Sequence, residues 1–256
     1  MLLLSENQRL MFGIFNKKQF LVDYLQGFVD IHNHILPGID DGAGTPEESE
    51  VLLKGLRDLG FAKFIATPHI LRPLYPNTPI TVADAHEKLK LYLESKKVKD
   101  IDLDVAAEHM IDDSFEDIIK SDAYMPLRSR YLLVEMSYLQ PPLNFDEAIA
   151  QVKEIELTPI LAHPERYGFL HDRFGMYREF VAQGVLLQVN LLSLGGYYGG
   201  SIQKTAYKLL QEQLVTFLGS DLHNTRHLNA LKEIKLNRKQ IALLEPVIHM
   251  TSEYMY

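Results

Sequence analysis

The feature that most constrains this chain is the regular exchange of short apolar runs and amphipathic stretches along it. Strand patterns lie at 28–32, 61–67, 103–107, 131–136, 159–162, 185–190 and 215–218, with helical patterns between them. Runs such as Tyr-Leu-Leu-Val at 131–134 and Val-Thr-Phe-Leu at 215–218 are continuously apolar rather than alternating. That pattern belongs to a parallel sheet covered on both faces. Repeated βα units of this kind build a doubly wound sheet or a closed barrel. Seven units without a dinucleotide-binding glycine fingerprint favour the barrel. The 256 residues suit one such domain, for which about 250 is typical. The expected architecture is α/β, a (βα)7 TIM-like barrel over 28–256, preceded by an N-terminal extension over 1–27.

Local signals agree with this division. Thr45 is a candidate N-cap, Pro46 occupies the first helical position, and Glu48 would complete a capping box. Leu52, Leu53, Leu56 and Leu59 give that helix an apolar face, and Gly60 closes it. Asn144 is a candidate cap for the helix after the fourth strand. Two helical stretches follow the seventh strand. The first twenty residues carry no secretory signal, because Glu6, Asn7 and Arg9 interrupt the leucine run at 2–4, and they read as a frayed terminus.

Composition excludes some chemistry. The chain has no cysteine, so thiolate nucleophiles and Cys-ligated zinc are unavailable, and a reducing, cytoplasmic setting is expected. A formal net charge of -8 disfavours a nucleic-acid partner. No apolar stretch approaches the length of a membrane span, about 20 residues.

Metal-type residues recur where the predicted strands end. His32 and His34 follow the first strand and Asp41 its loop. His69 follows the second, Glu108 the third and Glu135 the fourth. His163 ends the fifth, and Asp221 and His223 follow the seventh. In a barrel these ends converge on one face, where active sites lie. Alternation along a strand sends the two imidazoles of His-x-His to one side and turns His109 away from Glu108. Imidazole and carboxylate suit Mn, Fe or Zn. The set exceeds what one ion needs and suggests two or three ions bridged by shared carboxylates, which suits phosphate-ester hydrolysis. Arg166 and Arg226, each three residues past a ligand-type His, could grip phosphate oxygens; for each a surface ion pair weighs equally. His86, His171, His227 and His249 read as structural or solvated. The loop 195–200 is a lid or a plain connector, in which Tyr197 and Tyr198 could stack on an aromatic substrate.

Taken together, the segments Asp-Ile-His-Asn-His-Ile-Leu-Pro-Gly-Ile-Asp-Asp-Gly-Ala at 30–43, Thr-Pro-His at 67–69, Leu-Val-Glu at 133–135, His-Pro-Glu-Arg at 163–166 and Ser-Asp-Leu-His-Asn at 220–224 resemble a known family. It is the manganese-dependent tyrosine phosphatases of bacterial capsule and exopolysaccharide synthesis, the CpsB/CapC/YwqE type within the PHP superfamily. The resemblance spans about residues 28–226. It implies a distorted barrel of seven units holding a three-ion Mn2+ cluster, with Fe or Zn as alternatives. It further implies one ion on His32, His34, Glu108 and Asp221, a second on Glu108, Glu135 and His163, and a third on Asp41, His69 and His223. Arg166 and Arg226 would bind phosphate. The substrate it implies is a phosphotyrosine protein, namely a bacterial tyrosine autokinase, hydrolysed by a metal-bound hydroxide. The sequence departs from the family around Glu108, where Ala106 and Ala107 precede the carboxylate instead of a glycine, and after His223, where the segment is short. Alternatives are another phosphoesterase of the superfamily, acting on histidinol phosphate or on nucleic acid, and a metal-binding interaction protein without catalysis. The oligomeric state is left open.

Overall fold

The computed structural model describes residues 18–256; most of the stretch read as a frayed terminus, 1–17, lies outside the described residues. From residue 28 onward ten strands and nine α-helices carry the fold. The barrel strands in chain order are β2 (Phe28–Asp30), β3 (Phe61–Ala66), β4 (His69–Ile70), β5 (Asp102–Val105), β6 (Glu108–Met110), β7 (Tyr131–Glu135), β8 (Thr158–Ala162), β9 (Leu186–Asn190) and β10 (Val215–Gly219). All pair in parallel, in one sheet ordered β10-β9-β8-β7-β6-β4 and another ordered β2-β3-β5.

These sheets are one barrel wall with two breaks. The second and third predicted strands are each followed by a short strand that was not predicted, β4 after a break at Thr67-Pro68 and β6 after a break at Ala106-Ala107. The ladder nevertheless continues through Ala106 N donating to Ala66 O (2.8 Å) and Glu108 N donating to Pro68 O (3.0 Å). The wall closes where Asn33 bridges Leu222, with Asp221 N donating to His32 O at 2.7 Å and His34 N to Leu222 O at 3.0 Å. The seven units expected are thus present, and the distortion is the pair of breaks.

Helices α1 (Pro46–Asp58), α2 (Pro79–Ser95), α3 (Phe115–Lys120), α4 (Phe145–Glu154), α5 (Gly175–Ala182), α6 (Leu191–Leu194), α7 (Gly200–Gln211), α8 (Thr225–Lys232) and α9 (Arg238–Met255) follow the strands. Leu52, Leu53 and Leu56 of α1 are buried, and Gly60 ends the turn at φ +98°, as its lack of a Cβ allows. Two capping expectations need correction. Thr45 does accept from Glu48 N, but the Glu48 carboxylate accepts from Gly44 N at 2.7 Å, so the box is not reciprocal. Asn144 makes no side-chain cap and donates to Asp112 O instead.

The C-terminal helix α9 completes the wall opposite the ligand end. Below the Asn33–Leu222 bridge, β2 and β10 have no mutual ladder. There Thr251 Oγ1 accepts from Leu218 N (3.0 Å) and Ser252 Oγ from Val29 N (3.4 Å), while Met255 is buried in the barrel interior with Val29, Ile31 and Phe217. Backbone donors that a strand would satisfy are met by hydroxyls on a helix. Part of the predicted extension is also packed. β1 (Gln19–Phe20) pairs antiparallel with β11 (Lys235–Leu236), and Leu21 and Leu25 are buried in the main core. No helix among the described residues is long and apolar enough to cross a membrane.

Candidate metal centre

All nine sequence-predicted ligand residues meet at the C-terminal end of the barrel. His32, His34 and Glu108 are fully buried, His163, Glu135 and Asp221 nearly so, His69 and His223 partly, and Asp41 stands at the mouth. Their donor atoms form four overlapping groups, each within 4.8 Å: His32, His34 and Asp221; His32, Glu108 and His163; His69, Glu108 and Glu135; and His34, Asp41, His69 and His223. The first holds three members of one set implied by resemblance but not Glu108, and the last holds all of another with His34 added. In the middle, Glu135 Oε1 is 2.9 Å from His69 Nδ1, while the nearer His163 contact is to Glu108 Oε1 at 3.0 Å. His69 therefore stands at the junction of the second and third sets rather than in the third alone.

Hydrogen bonds around the cluster fix which ring nitrogen faces inward. His32 Nδ1–H donates to Gln188 Oε1 (2.7 Å), His34 Nδ1–H to Asp40 Oδ2 (2.8 Å) and His223 Nδ1–H to the Asp221 carbonyl (2.9 Å). Each then presents a lone pair on Nε2 to the centre, which is how outer partners prepare imidazole for a cation. The chain of bonds continues. Gln188 Nε2 donates to Asn190 Oδ1, Asn190 Nδ2 to Asp221 Oδ2 at 2.7 Å, and Arg166 Nη1 to the same Asp221 oxygen at 2.7 Å. On the other side, Asp30 accepts from Ser220 N and Oγ and ties β2 to the end of β10.

At the centre the polar atoms lack such partners. Glu108 Oε2, Glu135 Oε1 and His69 Nδ1 are buried without a hydrogen bond, although the two oxygens lie 3.1 and 2.9 Å from the nitrogen. Close approach without hydrogen-bond geometry, among acceptors with nothing to share, costs free energy unless a cation sits between them. The residues present thus fit divalent ions with nitrogen and oxygen donors. Burial alone would raise the pKa values of Glu108 and Asp221. Instead the surrounding imidazoles, with Arg166 beside Asp221, hold both well below the usual carboxylate range. Burial likewise disfavours charge on His32, His34 and His69, but the carboxylates outweigh it and raise all three. A field that draws protons onto buried imidazoles draws a divalent cation more strongly.

The backbone is bent to deliver two of these groups. His163 and Asp221 have φ of +35° and +50°, left-handed values that non-glycine residues seldom adopt, and both sit where a strand stops. Gly42 passes against the His34 turn so closely that a Cβ there would lie 1.9 Å from His34 O. Only glycine fits that approach.

Several important residues were not predicted. Asp40, adjacent to the predicted Asp41, orients His34 and also accepts from the backbone of Gly42 and His69. Replacing Asp40 with Asn should weaken metal retention about 10- to 100-fold, the usual consequence of losing an outer carboxylate on a ligand histidine. The amide cannot accept from Gly42 N, His69 N and His34 Nδ1–H together. Metal content after dialysis, on protein with unchanged circular dichroism, measures it. Gln188 and Asn190 had a usable signal, being polar residues at one parity on an otherwise apolar strand, as did Asp30 two residues before His32.

A cavity of about 290 Å³ opens over the cluster, lined by Arg166, Tyr138, Tyr198, Asn224 and His227 as well as by ligand-type residues. Arg166 does not pair with Glu165, which is buried and accepts from Ser193 Oγ (2.6 Å) and Asn190 N (2.9 Å). Its guanidinium lies between the rings of Tyr138 and Tyr198, at 4.6 and 4.3 Å. Arg226 is not brought in: it is exposed on the first turn of α8 and does not line the cavity. One residue along, the supposedly structural His227 does, with Tyr197 edge-on to its ring at 5.1 Å. The short segment after His223 starts α8 at once, and one helical step turns neighbours by about 100°. His171 is held by Ser201 and the Glu165 carbonyl, and His109 donates Nδ1–H to Leu133 O on the far side of its strand, as read from the sequence.

The chain is similar to known proteins along most of its length. The family model described as capsular polysaccharide synthesis, CpsB/CapC, matches residues 28–237. CapC of Staphylococcus aureus is 33% identical over 219 residues, covering 85% of this chain and 86% of its own. Tyrosine-protein phosphatase YwqE of Bacillus subtilis (strain 168) is 28% identical over 204 residues, covering 78% and 79%. Among solved structures, one from work on YwqE from Bacillus subtilis and CpsB from Streptococcus pneumoniae, described as metal-dependent tyrosine phosphatases, superposes with a TM-score of 0.78 at 25% identity, covering 89% of this chain and 93% of that one.

Proposed function

This chain belongs to the CpsB/CapC family of capsular polysaccharide synthesis, and from that premise we propose that it is a metal-dependent protein-tyrosine phosphatase in which His32, His34, Asp41, His69, Glu108, Glu135, His163, Asp221 and His223 hold the ions. The observation that carries the reading is the centre itself: three imidazoles with Nδ1–H bonded outward and Nε2 inward, around buried carboxylate oxygens that have no hydrogen bond. The family resemblance carries Mn2+ in a cluster of three; the all-nitrogen-and-oxygen donor set, gathered in overlapping groups, accommodates it as it would Fe or Zn. Bound ions would supply Lewis acidity toward the phosphoryl oxygens and lower the pKa of water near neutrality.

The remaining work falls to this chain's side chains. Arg166 offers its guanidinium to the phosphate from one wall, held there by Asp221 and by two aromatic faces. Tyr138 and Tyr198 frame the entry for a phenyl ring. His227, which also lines the cavity, is uncharged near neutral pH, because burial and the neighbouring His223 imidazole press its pKa below the ordinary histidine value. Its ring is a polar wall for the leaving phenolate. That leaving group has a pKa near 10 and departs without a strong acid. The phosphoprotein is a tyrosine autokinase of the same capsule machinery, and the reaction belongs in the cytoplasm, where such a kinase finds ATP.

Arg166→Ala is expected to lower kcat/KM for an aryl phosphate about 10²- to 10³-fold, as loss of one charge-stabilising donor does, and Arg166→Lys to recover only part of it, since an ammonium lacks the two-pronged geometry. The assignment itself is tested by turnover of phosphotyrosine peptide, histidinol phosphate and single-stranded DNA by the Mn2+-loaded protein. Preference for either of the last two would overturn it.

A further inference from the structure

Ser137 and Leu139, on either side of Tyr138 in the chain, line a second depression of about 900 Å³, with Arg72, Pro141, Leu143 and the acidic residues of the α3 approach. Tyr138 itself lines the first, the cavity over the metal centre, with its ring against Arg166, so the chain passes from one depression to the other at this residue. The two leucines on this rim are conspicuous: Leu139 is 91% exposed and Leu143 fully exposed. Apolar side chains grouped at the edge of a functional cavity mark a surface that another molecule covers. Pro141 and Pro142 stand between them, and fixed φ angles there hold the leucines in place before anything binds.

Charge narrows what covers it. Asp112, Asp113 and Glu116 line the groove against the single cation Arg72. Asp112 is engaged with Ser114, and Glu116 pairs with Lys120, but Asp113 is exposed. The groove therefore favours a partner that brings apolar side chains together with Lys or Arg.

We propose that this groove docks the polypeptide segment adjoining the phosphotyrosine, and that it selects segments carrying apolar and basic residues. The proposal rests on the phosphatase reading above and adds its substrate preference. A phosphotyrosine whose phosphate lies beside Arg166 leaves its backbone at the mouth, and the neighbouring residues cross Tyr138 onto Leu139 and Leu143. A free aryl phosphate would fill the cavity and touch none of the groove.

The test compares the Mn2+-loaded protein on p-nitrophenyl phosphate and on two phosphotyrosine peptides of equal length, one flanked by leucine and lysine and one by glutamate. The wild type should show a lower KM for the first peptide. Leu139→Ser/Leu143→Ser should raise that KM about tenfold, the equivalent of 1.4 kcal/mol, with p-nitrophenyl phosphate kinetics unchanged. Asp113→Lys/Glu116→Lys should narrow or invert the preference between peptides. Equal effects on peptide and p-nitrophenyl phosphate, or none on the peptide, overturn the docking proposal. So does a leucine variant that turns a sedimenting oligomer into monomer with peptide KM unchanged, for then the surface joins copies of this chain. If the wild type cleaves p-nitrophenyl phosphate but not phosphotyrosine peptide, the protein substrate fails. If it cleaves none of the three, the phosphatase reading fails and the docking proposal with it.

Discussion

Replacing Glu108 with Gln is expected to abolish phosphatase activity, with kcat/KM falling by at least about 10³-fold, because the ions that Glu108 would hold, and that would supply the nucleophile and neutralise the phosphate, could not assemble. Glu108 faces four of the ligand-type imidazoles. Glu108 Oε2 lies 3.2 Å from His32 Nε2, 3.5 Å from His34 Nε2 and 3.1 Å from His69 Nδ1, and Oε1 lies 3.0 Å from His163 Nε2. The substitution keeps the volume but removes the charge and turns one acceptor into a donor. Elemental analysis should find at least one ion fewer per chain. The metal-free fold should survive, since the amide can donate to one of the facing imidazoles, and its midpoint of unfolding should move by no more than a few degrees, the equivalent of about 1 kcal/mol in a chain of this size. A Glu108→Gln protein with full metal content and normal turnover would show that the carboxylate is not the hub of the cluster.

Chelation should have the largest effect on stability. An ion present at about 1,000 times its Kd stabilises the folded state by about 4 kcal/mol, and each kcal/mol moves the midpoint of a domain this large by about 2–4 °C. Two tightly held ions thus account for a fall of about 15–30 °C when the metal is stripped. The stripped protein should also respond to pH with the opposite sign to the loaded one. Despite burial, the nearby carboxylates raise the pKa values of His32, His34 and His69 above the ordinary value of 6.5. The folded state then binds more protons than the unfolded state above pH 6.5, so this contribution is complete below that value and is lost as pH rises through the folded pKa values. With metal bound, protons compete for the same nitrogens, and stability should rise over the same range. Thermal melts from pH 6 to 8, with and without Mn2+, measure both signs. Melts that superimpose with and without metal would refute a cation cluster in the barrel.

How much of this was legible beforehand depended on periodicity. Glu108 and His109 were separable because successive strand residues face opposite sides, and His32 and His34 were joined for the same reason. The seven units were visible because buried parallel strands are apolar on both faces, although the breaks at Thr67-Pro68 and Ala106-Ala107 were not. Residues on loops carry no such phase. Asp40 and Asp41 are neighbours in one loop, and only the path of the turn decides that Asp40 orients His34 while Asp41 stands at the mouth. Arg226 and His227 exchange their expected places for a related reason, since the onset of α8 sets the direction of each.

The amino-acid order by itself therefore determined the kind of wall, the kind of donor and the end of the barrel at which donors gather, because alternation and strand length are local properties that burial enforces. Only the folded chain decided which carboxylate turns toward which imidazole, that Arg166 is held between two tyrosines, and that Thr251 and Ser252 from the last helix close the seam between β2 and β10. These are contacts between segments up to 223 positions apart, and their geometry follows from how rigid elements pack rather than from the preference of any one segment.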